Sequence, residues 1–343
     1  MNARPRVAVC LVTYNSADDL AECLEAVAAQ DYRPLEVVIA DCGSDDRSVE
    51  IARRVDLGTG LPKTVLPLGE NRGFSGGMNA CLVACRAPFT LALNADARPS
   101  GDFVSRLVER CLAAADVAAV TGRLTRPAAA GEPRRLDACG MYLTSTWRHL
   151  DRGSGELDAG QYSEPEEVFG ATGAATLYRR SALDDVAFPA GEVFCELFHS
   201  YREDAELCFR FAERGWRVIY EPSAVAEHRR RVVPANRRRV PDSINRSSLK
   251  NRYLLRAYHQ TLGNAWRTAL PCLSRDVLAL LYVLARERSS LGAYGFLWRH
   301  RREVLRRRRF LKERRTASVE AWFTRRSRPI GRANAVGGPR TDG

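Results

Sequence analysis

The chain has few of the patterns that build a nitrogen- or sulfur-ligated metal centre. Its five histidines are scattered, and its ten cysteines form no Cys-x-x-Cys pair. That spacing argues against a structural zinc site and a disulfide scaffold, and leaves the cysteines as buried, reduced thiols of a cytosolic protein. Long hydrophobic runs are also lacking. The longest, Val277 to Ala285, is about half of the ~20 residues that a membrane span needs, so no transmembrane helix is expected. The segment Met1 to Arg6 leads straight into the apolar stretch Val7 to Val12, without the h-region and small-residue cleavage site of a secretory leader. There is no Walker A sequence and no Gly-x-Gly-x-x-Gly, which removes the usual phosphate-loop and dinucleotide signatures. No internal repeat is visible.

What is present suits a folded globular protein. The 343 residues are 45% hydrophobic, enough for two domains of ordinary size with a sizeable core. The net charge of +12 is unevenly spread. Residues 1–228 hold 24 Lys and Arg against 34 Asp and Glu, whereas residues 229–343 hold 29 against 7. Such asymmetry marks two regions with different partners.

The first half alternates strand and helix patterns. Strands are expected over Val7 to Thr13, Glu36 to Ala40, Thr64 to Leu68, Phe89 to Leu93 and Val117 to Thr121. Helices are expected over Ala17 to Ala29, after an Asn15-Ser16 cap, within Ser44 to Val55, and over Phe74 to Arg86 and Asp102 to Ala115. This rhythm predicts an α/β fold with a mostly parallel sheet covered on both faces. Residues 123–165 read as loop. A strand near Ala174 to Tyr178, a helix over Arg202 to Arg214 and a strand Arg217 to Tyr220 closed by Pro222 follow. From about Arg325 the chain reads as a disordered tail.

In such sheets ligands bind beyond the carboxyl ends of the strands. The residues to inspect are therefore Thr13-Tyr14-Asn15, Asp41, Asn71-Arg72 and Asn94-Ala95-Asp96. A carboxylate at Asp41 can accept the imide N–H of uracil or thymine, although a turn-capping Asp fits as well. Asn94 and Asp96 fall on one side of an extended backbone and can hold a hard cation that bridges a diphosphate; a helix cap ahead of Pro99 is the plainer alternative. The stretch Asn71 to Asn79, with Gly73, Gly76 and Gly77, could aim backbone N–H groups and Arg72 at phosphate. Asp204 shares a helix face with Leu207, Cys208 and Phe211, so it is either a capping residue or a placed base. Glu203 and Glu206 point elsewhere, and a solvated or ion-paired role suits them. His228 stands alone just before the basic region.

Taken in order, these segments resemble glycosyltransferase family 2, especially its bacterial rhamnosyltransferase-like members. The carrying residues run from Val12-Thr13-Tyr14-Asn15-Ser16 through Glu36 to Asp46, Asn71 to Asn79 and Leu93-Asn94-Ala95-Asp96. They close with Gly173 to Ser181, Tyr201 to Leu207 and His228. The resemblance covers about residues 5–230 and implies a GT-A-type fold, with a donor half over about 1–122 and an acceptor half over about 123–228. It implies that Asp41, with Thr13, Tyr14 and Asn15, reads the nucleobase. Arg72, Gly73, Asn79 and Asn94 would serve the nucleotide sugar. Asp96 and His228 would hold a magnesium or manganese ion, and Asp204 would be the base of a single inverting displacement. Gly173 and Glu203 would lie on the acceptor side. The implied donor is a dTDP- or UDP-sugar, with rhamnose as the suggested sugar. The implied acceptor is a glycan or polyprenyl-diphosphate-linked hydroxyl in cell-envelope polysaccharide synthesis. Three departures stand out. Asn94 replaces the first Asp of the family's Asp-x-Asp, Cys42 stands where Asn is frequent, and Phe188 to Glu192 differs from the usual Phe-Asp-Glu stretch.

Residues 229–324 read as a basic helical region in which Arg306 to Arg309 and Arg314-Arg315, with Arg325-Arg326 just beyond it, mingle with Phe296, Trp298, Phe310 and Trp322. That mixture suits an anionic membrane surface, with Ala269 to Ala285 lying in the interface, or a region docked on the core with a solvated charged face. No nucleic-acid fold signature accompanies the arginines, so nucleic acid is not expected as a partner. The expected location is cytoplasmic, peripheral at the cytoplasmic membrane face. Two other readings compete with sugar transfer. One is a nucleotidyltransferase, which would be expected to carry a Gly-rich basic loop where Thr13-Tyr14-Asn15-Ser16 stands. The other is a non-catalytic basic membrane- or nucleic-acid-binding protein, which the intact Asp96, Asp204 and His228 argue against.

Overall fold

A computed structural model describes residues 4–58, 60–129, 131–230 and 242–330. Strand β1 (Val7–Thr13) is followed by α1 (Ala17–Ala28), β2 (Leu35–Asp41), α2 (Ser48–Arg54), β3 (Lys63–Pro67) and α3 (Gly73–Ala84). The uninterrupted apolar run of β1 is buried on both faces. Val7, Val9 and Leu11 share a core with Leu20, Leu24 and Val27 of α1, while Ala8 and Cys10 share another with Met78 and Cys81 of α3. Small residues on the α3 side let that helix lie close. A Cβ on Gly77 would come within 2.5 Å of the Val12 side chain. The N-terminus of α1 is not capped by Ser16; instead Asp46, from the loop after β2, accepts from the Ala17 N–H at 2.9 Å.

The chain continues through β4 (Phe89–Asn94), β5 (Ala97–Pro99), α4 (Phe103–Leu112) and β6 (Val117–Thr125). The stretch expected to be loop carries β7 (Leu136–Ala138), the hairpin β8 (Met141–Leu143) and β9 (His149–Asp151), and β10 (Glu166–Val168). Then come β11 (Ala175–Arg179), α5 (Arg180–Val186), α6 (Glu203–Glu213) and β12 (Arg217–His228). β12 does not stop at Pro222. The irregularity between Glu221 and Val225 absorbs the proline, Glu221 accepts from the Ser223 N–H and hydroxyl, and pairing resumes to Glu227. Among the described residues the main sheet has eleven strands, in the order β13-β10-β12-β6-β11-β4-β1-β2-β3, where β13 is Ser327–Pro329, with β5 and β7 at its side. Its long pairings, β1 with β2 and β4, β2 with β3, and β6 with β12, are parallel. β11 joins the two parallel blocks antiparallel.

The C-terminal helices are α7 (Asp242–His259), α8 (Leu262–Arg286), α9 (Gly292–Arg299) and α10 (Arg301–Arg314). They do not form a core of their own. Leu254, Leu255, Tyr258, Leu311 and Trp322 share one apolar cluster with Trp147, Phe169 and Phe209. Helix α6 is thus packed on both sides: Leu207 and Phe211 belong to the core beneath the sheet, and Ala205, Cys208 and Phe209 to the cluster shared with α7. Arginines expected to be solvated contribute to this docking. Arg307 pairs with Glu192 at 2.8 Å, Arg308 donates to the Ala257 and Gln260 carbonyls, and Arg315 pairs with Glu213 at 2.5 Å.

Two expectations about this region change. α8 is 25 residues long and, by length and composition, apolar enough to cross a membrane, although its unbroken apolar run is short because polar residues are spaced along it. In the stretch expected to be a disordered tail, Ser327–Pro329 forms β13 and pairs with β10. Residues 231–241 and 331–343 lie outside the described residues. All ten cysteines are buried and unbridged.

Candidate active site

The sheet register builds the first half of the site. β4 ends at Asn94 opposite Val12, and the chain turns through Ala95-Asp96 into β5. β5 pairs with the end of β12, setting His228 opposite Ala97. His228 Nε2 therefore lies 3.2 Å from Asp96 Oδ1 and 3.5 Å from Asn94 Nδ2. On the other side of the ring, Nδ1 is 2.7 Å from Asp137 Oδ2 of β7. Asp137 is also 2.9 Å from Arg230 Nε, and Arg230 pairs in turn with Asp151 of β9. Burial opposes the imidazolium, but the Asp137 and Asp96 carboxylates outweigh it and raise the His228 pKa to about 9. Burial likewise opposes ionisation of Asp137, yet His228 and Arg230 hold its carboxyl below the usual range.

This donor set fits a cation shared with a diphosphate. Asp137 fixes the ring through Nδ1 and leaves Nε2 facing Asp96; a cation bound there would take the place of the Nε2 proton, since only the neutral imidazole ligates. Magnesium-like cations take one or two protein ligands and complete their shell with phosphate and water. No group of three or more His, Cys, Asp or Glu that could hold a metal by itself occurs among the described residues.

The second half of the site is Asp204, in the first turn of α6. Its Oδ2 accepts from the Gly173 N–H at 3.0 Å and its Oδ1 from its neighbour Ala205 at 2.7 Å. Burial raises the Asp204 pKa to about 6, against the pull of those two N–H groups. Asp151 pushes it the same way as burial. A Cβ on Gly173 would meet the Phe74 ring at 3.1 Å, so the glycine lets Phe74 of α3 lie against this segment. The next residue accepts from the far side, since Asn94 N–H donates to the Ala174 carbonyl at 2.8 Å. One dipeptide thus ties the Asn94 turn to Asp204. Contrary to the solvated or ion-paired role expected from the sequence, Glu203 is neither. It is buried, its Oε2 has no hydrogen-bond partner among the described residues, and burial beside Asp204 pushes its carboxyl well above the ordinary range. Glu206 does pair, with Arg210 at 2.8 Å.

The remaining predicted residues line the strand ends of β1 and β2 or brace the segment across from them. Asp41 is buried at the end of β2. It accepts from the Thr13 hydroxyl at 2.9 Å and from the Ser44 N–H at 3.0 Å, so it organises its own turn as well as facing the rim. Asn15, at φ 50°, accepts from the Asp45 N–H and locks the two loops together, while Tyr14 stands half-exposed. Arg72 pairs with Glu196 at 3.1 Å. Asn79 exchanges hydrogen bonds with the Phe194 backbone at 2.8 and 2.9 Å. The glycine-rich stretch is not an open phosphate cradle. It is the start of α3, where the Phe74 and Ser75 N–H groups are taken by the Ser200 hydroxyl and the His199 carbonyl. Gly73, at φ +65°, is needed there because a Cβ would lie 2.4 Å from that carbonyl.

Sequence reasoning missed four contributors. Asp137, Asp151 and Arg230 complete the charge chain behind His228. The fourth is Asn251 of α7, fully buried, whose Nδ2 donates to the Phe198, Ser200 and Tyr201 carbonyls at 3.0, 2.9 and 2.6 Å. These carbonyls belong to the turn that feeds Asp204, in which His199, Tyr201 and Arg202 all have positive φ. Neighbouring Lys250 donates to the Leu197 carbonyl at 2.7 Å. The Asp137 signal was a short apolar–acidic–apolar alternation, Leu136-Asp137-Ala138; Asn251 gave none.

A sheet of this order, with an Asn-x-Asp turn at the end of β4 and a carboxylate at the head of α6, defines a GT-A-type glycosyltransferase domain. The chain belongs to glycosyl transferase family 2, whose family model matches residues 8–187. It is 24% identical over 222 residues to poly-beta-1,6-N-acetyl-D-glucosamine synthase of Staphylococcus aureus strain MSSA476, a match covering 63% of this chain and 48% of the relative. It is 31% identical over 141 residues to the succinoglycan biosynthesis protein ExoO of Rhizobium meliloti strain 1021, covering 38% of this chain and 39% of the relative. The chain thus spans about half or less of these relatives. Among solved structures, GalNAc-T7 with UDP, GalNAc and Mn2+ superposes with a TM-score of 0.57 at 13% identity, over 75% of this chain and 48% of that one. S. aureus TarS superposes at 0.52 and 16% identity, over 90% and 52%. At these identities the structures share the fold.

Proposed function

We propose that the protein moves a sugar from a nucleoside-diphosphate donor to the hydroxyl of a glycan or polyprenyl-diphosphate-linked acceptor, with inversion, in cell-envelope polysaccharide synthesis. One observation carries the reading. Asp96, His228, Asp137, Arg230 and Asp151 form a continuous chain of ion pairs, and Asp204 lies within electrostatic reach of Asp151 and Arg230 at its end. A cation-holding pair and a base of raised pKa therefore belong to one charge network.

In this reading Asp41, Thr13, Tyr14 and Asn15 form the nucleobase end. Arg72, Gly73, Asn79 and Asn94 shape the sugar-nucleotide side, partly by bracing the segment around Phe194 and Glu196. Asp96 and His228 hold magnesium or manganese, which when bound neutralises negative charge on the diphosphate. The GalNAc-T7 structure with Mn2+ supports a divalent ion. Asp204 takes the proton of the acceptor hydroxyl, whose oxygen bonds to the anomeric carbon as the bond to the diphosphate breaks. Glu203, whose carboxyl burial pushes well above the ordinary range, lies on the acceptor side with Gly173, and the single displacement leaves no covalent sugar intermediate. The sugar we put forward is rhamnose, carried on dTDP, with UDP-sugars as the other donors; the cytoplasmic membrane face is the proposed location. The names of the two relatives support polysaccharide synthesis.

The test is a thermal-shift screen of dTDP-, UDP- and GDP-sugars with magnesium or manganese, followed by NMR of the product anomer. Stabilisation by one donor class and an inverted product are expected. No stabilisation by any nucleotide sugar, or a retained anomer, would refute the proposal.

A further inference from the structure

Helix α8 is built inside out. Its inward stripe is mostly polar or small: Asn264, Thr268 and Cys272 are buried, with Val283 further along the helix, and Asp276 pairs with Arg252 and Arg256 of α7 at 2.5 Å. The Thr268 hydroxyl accepts from the indole of Trp147 at 3.1 Å. Its outward face is apolar. Leu262, Trp266, Leu270, Leu273, Leu278 and Leu281 are all exposed, Leu262 at 93% and Leu270 at 77%. A helix on the surface of a soluble domain shows the opposite arrangement. An apolar face along a helix about 37 Å long exceeds the scattered exposed residues of a monomer and marks an interaction site.

We propose that the outer face of α8 is a membrane-insertion surface that lies in the headgroup–acyl boundary of an anionic bilayer. Charge selects this occupant over a second copy of the chain. The region from residue 229 onward has 29 basic against 7 acidic residues, so pairing two such faces brings like charges together, whereas anionic lipid neutralises them. Aromatic–basic pairs suited to the headgroup level occur on α8 and nearby: Arg267 stacks on Trp266, and Arg301 on the exposed Trp298. The helix lies on the surface and does not span, because the Asp276 contacts and the Trp147–Thr268 bond fasten it lengthwise to the folded protein. Spanning would carry Asp276 and its arginines into hydrocarbon. The inference uses the membrane-linked acceptor reading for its purpose only; its test needs no acceptor.

The experiment is co-sedimentation of the full chain with phosphatidylcholine vesicles, with and without phosphatidylglycerol, across a salt series. Binding to anionic vesicles that persists at high salt is expected, since apolar insertion is not screened as exposed charges are. Leu270→Gln with Leu278→Gln should lower partitioning on the order of 10²-fold, because each removes one inserted leucine. These sites are exposed, so circular dichroism and donor-induced thermal shift should match the parent; loss of donor binding would bear on the catalytic reading instead. Three results would overturn the proposal: binding unchanged by the double substitution, a dimer in light scattering that the double substitution dissolves, or resistance of the cellular protein to carbonate extraction, which would mean a span.

Discussion

Asn251→Ala should uncouple turnover from donor binding. The Asn251 amide donates to three carbonyls of the turn 198–202, in which the three non-glycine residues His199, Tyr201 and Arg202 are held at positive φ. Each such residue costs roughly 1–2 kcal/mol relative to its preferred conformation. The two N–H groups of this amide, shared among the three carbonyls, contribute about 1 kcal/mol each. Losing them removes about 2 kcal/mol of what holds the strained turn, so the turn relaxes and the first turn of α6 moves with it. A displacement of about 1 Å at a reacting group can cost 10²-fold in rate. The expected outcome is a kcat lower by about 10- to 10²-fold, an unchanged Kd for the nucleoside diphosphate, and a Tm lower by several degrees. Steady-state kinetics, calorimetry and a thermal melt on one preparation give all three. A lower Tm with wild-type kcat would reduce Asn251 to a packing residue. A parallel loss of kcat and donor affinity would show that the turn acts through α3 and Gly73 and does not position Asp204.

Asp204→Asn should leave donor binding intact and lower turnover by about 10²–10⁴-fold, read as sugar transfer by the purified protein. Because burial raises the Asp204 pKa to about 6, the ionised base dominates only above that pH. The kcat/KM of the parent should climb with rising pH through about 6 and then level; a profile flat from pH 5 to 8 would contradict this. Asp96→Ala and His228→Ala should each weaken metal-dependent binding of the nucleoside diphosphate, and calorimetry with and without chelator checks both. Ending the chain after Arg315 should lower Tm, since it removes Trp322, which packs edge-on against Phe169, and the strand β13 that pairs with β10.

The donor half was largely readable from local pattern. Runs such as Val7 to Thr13 and Phe89 to Leu93 are apolar because both their faces are buried, and α1 and α4 show their inward residues by spacing. The placement of Asp204 followed from the apolar face it shares. What could not be read depends on long-range register. Asp96 and His228 are 132 positions apart, and only the β5–β12 pairing brings them together. That pairing requires β12 to pass Pro222, which in isolation reads as a stop. Asp137 and Asp151 lie on three-residue strands too short to show periodicity. The glycines around the start of α3 suggest a phosphate-binding stretch, whereas in the fold they allow close approach of β1 and His199. In α8 the apolar face was visible, but pattern alone does not say which face meets protein.

The double burial of α6 constrains how this enzyme can be rebuilt. The helix that carries Asp204 is shared between the sheet and the C-terminal helices, and Glu213 at its far end holds Arg315. Exchanging the C-terminal region with that of a relative therefore replaces part of the wall around Asp204. A working chimera would have to transplant α6, the turn 198–202 and α7 as one block, with the crossover placed before Glu192, the partner of Arg307.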